Sequence, residues 1–146
     1  MIRTAIVALS LLTPGLACAA DVTVDAAWAR ATAGAGGTAA AYVTLTGHGT
    51  AARLVGVQTP VAGMAMLHDD RNLDGVMQMR DLLGIDVPAS GSVALRPGGT
   101  HIMLTMLRAP LRRGDRLPLT LEFADGREVV VTAVVGAVGA MAPPPP

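Results

Sequence analysis

After its first twenty residues the chain is punctuated by turn residues every eight to twelve positions or so, with short apolar runs between them and no sustained helical period. A chain cut this often cannot build long helices, and its short runs can bury their apolar side only by pairing as strands. The runs fall at Val22–Arg30, Ala39–Thr46, Arg53–Gln58, Gly63–His68, Val76–Arg80, Ile85–Val87, Val93–Arg96, His101–Leu107, Leu117–Phe123 and Glu128–Val135. In the second run Ala41, Val43 and Leu45 alternate with Tyr42, Thr44 and Thr46, the period-2 pattern of a half-buried strand. Asp69–Gly75 reads as a polar loop, Gly47–Thr50 as a turn, Pro88–Gly91 as the turn before Val93, and Asp125-Gly126 as a hairpin. The expected fold is all-β, a sandwich or barrel. Aromatic residues are only 2% of the chain, so its core must be made of Val, Leu, Ile, Ala and Met.

The 146 residues suffice for one domain. Residues 1–20 have the make-up of a secretory signal: Arg3, an apolar stretch Ala5–Leu12, then Pro14-Gly15 and small residues. Cleavage after Ala19 or Ala20 is expected, and the stretch is too short to span a bilayer, so no membrane insertion is expected after cleavage. Residues 21–135 form the expected β-domain. Residues 136–146 end in four prolines and are expected to be a disordered tail. Cys18, the single cysteine, lies within the signal; the alternative that it is a lipidated N-terminus stands against the lack of an aliphatic residue three places before it. If the signal is cut after it, the mature chain has neither disulfides nor thiol chemistry.

All eleven basic residues are Arg, balanced by eleven acidic ones, and no basic run marks a nucleic-acid surface. Ser90 and Ser92 lack a nucleophile elbow, Asp69-Asp70 read as a solvated turn, and Gly34, Gly36 and Gly37 precede a strand instead of a phosphate-binding helix. No enzyme activity is expected. The His and Met residues, by contrast, cluster: Met64, Met66 and His68; Met77 and Met79; His101, Met103 and Met106. Strand periodicity puts Met66 with His68, Met77 with Met79, and His101 with Met103 on common faces. Neutral thioethers and imidazoles suit Cu(I), and are poor partners for harder divalent ions. Methionine on a strand is also ordinary core filler, and clustering does not separate the two.

Spacing is more specific. Ten residues separate His68 from Met79, twenty-one separate Met79 from His101, and one separates His101 from Met103. Together with Gly75-Val76-Met77-Gln78-Met79-Arg80, Pro97-Gly98-Gly99-Thr100-His101-Ile102-Met103-Leu104, Pro110-Leu111, Gly114-Asp115, Trp28-Ala29-Arg30 and Tyr42-Val43-Thr44-Leu45, this pattern resembles the periplasmic PCu(A)C copper chaperones over Val22–Val135. The resemblance implies a cupredoxin-like β-sandwich or barrel, and Cu(I) bound by His68, Met79, His101 and Met103. It also implies a periplasmic monomer that hands copper toward the Cu(A) site of cytochrome c oxidase subunit II, alongside Sco-type proteins. A copper buffer or resistance protein without a dedicated client is the alternative, and a structural β-module without metal is a third. An electron-transfer cupredoxin is excluded by the missing Cys ligand. Met66 and Met77 match no motif position and are expected as packing or a soft outer layer, and His48 as a surface residue. The tail holds Met141 but no His, unlike the His- and Met-rich extensions of some relatives, which argues against a second, Cu(II) site.

Overall fold

The computed structural model describes residues 21–34 and 37–146, so the expected signal lies outside the described residues. Ten strands are present: β1 (Val22–Arg30), β2 (Ala39–His48), β3 (Ala52–Gln58), β4 (Ala62–Leu73), β5 (Val76–Asp81), β6 (Ile85–Val87), β7 (Ser90–Ala94), β8 (Thr100–Leu107), β9 (Arg116–Phe123) and β10 (Glu128–Gly136). There is no helix among the described residues. The strands join in one open sheet, β5-β4-β8-β2-β1-β10-β9-β3-β6, with β7 paired to β2 off this path. Only β1 and β10 run parallel; every other pair is antiparallel. On one of its edges β2 pairs β8 through Ala39–Ala41 and β7 through Thr44–His48, while β1 covers the other.

The core lies where the sheet folds over itself. β9 shows the reason in miniature, burying Leu117, Leu119, Leu121 and Phe123 while Arg116, Pro118, Thr120 and Glu122 turn outward. Val43, Leu45, Leu54, Ile102, Leu104 and Val135 complete a core of aliphatic side chains. The alternation expected along β2 is only half kept, because Tyr42 is buried at 2% exposure on the opposite face. It packs on Trp28, directly across the β1–β2 ladder, at a ring-centroid distance of 4.5 Å. This aromatic pair thus packs on the face of β1 and β2 opposite that of Ala41, Val43 and Leu45.

Two expectations need correcting. Asp69–Gly75 is not a loop: β4 continues to Leu73 and turns at Asp74-Gly75, both with positive φ (52° and 85°), as a two-residue hairpin requires. The polar side chains sit there because β5 is an edge strand, exposed at every residue, and its hairpin has no core to face. Likewise β7 begins at Ser90 and β2 runs on to His48, since those segments pair with each other. Beyond β10 the expected tail folds back on β1, where Arg30 Nε donates to the Ala140 carbonyl at 2.7 Å and Nη2 lies 3.0 Å from Met141 Sδ.

Leu119 is fully buried, whereas Val130, opposite its neighbour Thr120 on β10, is largely exposed. Leu119→Ala should therefore cost about 2–5 kcal/mol by chemical denaturation, and Val130→Ala within about 0.5 kcal/mol of zero.

Candidate metal centre

The registers of β4, β5 and β8 decide which side chains meet. His68 stands directly opposite His101 on β8 and opposite Asp81 on β5. Met66 stands opposite Met103, and Asp70 opposite Met79. Since directly opposed residues and residues two apart share a face, one face carries Met66, His68 and Asp70 on β4, Met103 and His101 on β8, and Met79 and Asp81 on β5. The other face of the same strands carries Leu67, Ile102 and Leu104, which belong to the buried core. All four side chains expected from the sequence are on the first face.

The two imidazoles are its floor. His68 and His101 are the only buried polar or charged side chains among the described residues, 7% and 4% exposed, and their rings meet edge to face at 5.8 Å. His101 Nδ1 lies 3.0 Å from the Gly99 carbonyl. A carbonyl can only accept, so Nδ1 carries the proton and Nε2 keeps its lone pair. His68 Nδ1 lies 2.9 Å from Met79 Sδ. Nitrogen and sulfur donors of one tetrahedral ion stand roughly 3.5 Å apart, from bonds of about 2.0 and 2.3 Å, so His68 and Met79 need part only slightly to share one. Met79 itself is 51% exposed on the edge strand. Met103 is half-buried, and together with Ala40 and Val138 of the C-terminal segment it lines a cavity of about 220 Å³.

Two carboxylates join this face that sequence reasoning missed. Asp81 Oδ1 is 2.9 Å from His68 Nε2, but off the hydrogen-bond direction, so that buried nitrogen has no hydrogen-bond partner among the described residues. Asp70 Oδ2 is 3.7 Å from His101 Nδ1. Asp70 read as part of a solvated turn because the extension of β4 was not foreseen; Asp74-Gly75, a hairpin dipeptide, was the signal that places it. Burial pushes the Tyr42 hydroxyl above its ordinary range, with Arg30 opposing and Asp70 adding to the shift, so the phenol stays protonated. Asp69, whose side chain accepts from Arg71, is held below the ordinary carboxylate range chiefly by that hydrogen bond.

An ion shared with Met79 meets His68 at Nδ1, which leaves Nε2 to the Asp81 carboxylate 2.9 Å away. No group of three or more His, Cys, Asp or Glu side chains that could hold a metal occurs among the described residues. An ion on this face therefore needs the thioethers to complete its shell. Of the other expected residues, Met77 is exposed opposite Asn72, and His48 is exposed with its Nε2 2.9 Å from Thr23 Oγ1.

The class this fold defines is that of the PCuAC domains. The structure is similar to the apo PCuAC domain from PmoF1 (TM-score 0.67, 28% identity, covering 80% of this chain and 94% of that one). It is also similar to the solution structure of CuI-DR1885 from Deinococcus radiodurans (TM-score 0.60, 35% identity, covering 82% and 81%). Residues 22–135 match the family described as "Putative lipoprotein LpqE-like", and the chain belongs to that family. A relative named "Putative lipoprotein Lxx21020", from Leifsonia xyli subsp. xyli (strain CTCB07), is 42% identical over 119 residues, covering 80% of this chain and 70% of that protein.

The hydrogen bond to Gly99 fixes one tautomer of His101. Long-range proton–nitrogen NMR of the metal-free protein should show His101 protonated at Nδ1 and bare at Nε2; the reverse pattern would remove the nitrogen this face offers to a metal.

Proposed function

We propose that the protein is a Cu(I) metallochaperone of the cell envelope, binding one ion through His68, Met79, His101 and Met103 and delivering it toward the Cu(A) site of cytochrome c oxidase. The observation that carries this reading is the convergence of two buried imidazoles and two thioethers on one face, with His68 Nδ1 2.9 Å from Met79 Sδ. The similar structure of DR1885 holds Cu(I) by its title. Neutral donors hold the ion without a thiolate charge, and ligand exchange can begin at Met79, the half-exposed donor on the edge strand. That accessible thioether favours delivery over the alternative of a copper buffer, which gains nothing from an open donor. The oxidase and Sco-type partners come from the family resemblance, and oxidase activity in a copper-limited deletion strain tests them: its loss supports delivery, whereas copper sensitivity with normal oxidase supports buffering.

The family and relative names support export to the envelope, and they favour a lipid anchor at Cys18 as a second reading of the N-terminus. Intact mass of the processed protein separates the two: a chain starting at Asp21 or Ala20 means cleavage, and a chain starting at an acylated Cys18 means an anchor.

Anaerobic titration against a competing Cu(I) chelator should give one ion per chain. His101→Leu, which removes a floor imidazole with no other His in reach, should weaken binding more than about 100-fold. Because both imidazoles must be unprotonated to coordinate, acid should weaken binding in the wild type. Unchanged affinity in a folded His101→Leu protein would refute the site.

A further inference from the structure

Three thioethers on the metal-binding face are unused by the four-ligand set: Met64 opposite Thr105, Met77 opposite Asn72 on the edge hairpin, and Met66, the one of the three that stands next to both histidines. Met66 was expected as packing or a soft outer layer, and the face that packs is the other one, where Ala65 and Leu67 point with Ile102 and Leu104. Met66 instead projects beside His68 and directly opposite Met103, and stands diagonally across the ladder from His101. Directly opposed Cβ atoms lie about 4.5–5.5 Å apart and diagonal ones stay within reach of long side chains. Met66, His68, His101 and Met103 thus form a two-by-two block on two strands.

The surroundings of Met66 are open. β5 pairs β4 only from His68 onward, and its last link is Leu82 N donating to the Leu67 carbonyl at 2.8 Å. Past that point Met66 is half-buried and borders a cleft of about 200 Å³ with Val55, Val57, Asp81 and Leu82. Met79, in contrast, sits on an edge strand that pairs only with β4 and is exposed throughout.

We infer that Met66 is a fifth copper donor, which takes the place of Met79 when that thioether leaves the ion. The inference rests on the four-ligand reading above. Two coordination sets then share His68, His101 and Met103 and differ in the thioether that closes them. In the exchange the Cu–S bond to Met79 breaks and one to Met66 forms. Both sulfurs are neutral and copper stays Cu(I), so no proton or electron moves. The ion passes from a shell closed by the exposed hairpin to one made by β4 and β8 alone, leaving the β5 side free for an incoming donor.

The test is a double-mutant cycle with Leu, which conserves volume, on the full chain loaded with Cu(I) alone, with thermal unfolding as the control for folding. Met66→Leu should lower affinity by no more than about 2-fold, Met79→Leu by less than about 10-fold, and the double variant by more than about 100-fold, well beyond the product of the singles. X-ray absorption supplies the second readout. The wild type should show two sulfur and two nitrogen neighbours, Met79→Leu should still show two sulfurs, and the double variant one. Additive affinities, or one sulfur in Met79→Leu beside two in the wild type, would overturn the role of Met66 and leave the four-ligand site standing. A wild type without Cu–S bonds would overturn both.

Discussion

Everything at the metal-binding face follows from one cross-strand register, that which sets His68 opposite His101 on one side and opposite Asp81 on the other. A slip of one residue in either ladder would turn a whole set of side chains to the opposite face. The slip is prevented by the core, since Leu67, Ile102 and Leu104 on the reverse of the same strands must stay buried. Hydrophobic burial on one face therefore holds the donor geometry on the other, and no loop has to be ordered to assemble the two imidazoles.

The edge hairpin contributes differently. Met79 is placed only by the β4–β5 ladder and the Asp74-Gly75 turn, with no core contact behind it. A rigid floor of imidazoles and an exposed thioether rim give a cargo site two properties at once: donors already in place, and one donor that can be exchanged first. The carboxylates of Asp70 and Asp81 beside the imidazoles favour a cation on this face without a direct bond to it.

Much of this was legible in the sequence. The bounds of β1 and β6 could be read directly, because apolar alternation there is bracketed by turn residues, and the common faces of His68 with Met66 and of His101 with Met103 follow from strand period alone. Residues that pair at an edge were not legible. Asp69 to Asn72 are polar because their strand borders solvent, and polar composition reads as loop. With that extension hidden, Asp70 and Asp81 could not be placed beside the histidines. The alternation along β2 groups Tyr42 with Thr44 and Thr46, whereas Trp28 covers it from the neighbouring strand, a contact that no local pattern encodes. The return of the tail to Arg30 is a long-range contact of the same kind.

Carbon-13 labelling of the methionine methyl groups tests the central claim most directly, because each thioether reports on itself. One equivalent of Cu(I) should move the Met79 and Met103 signals in step and reach completion there, while Met64, Met77, Met106 and Met141 stay in place. Equal movement of the exposed methionines, or no movement at Met79 and Met103, would contradict a single site built on the His68–His101 register.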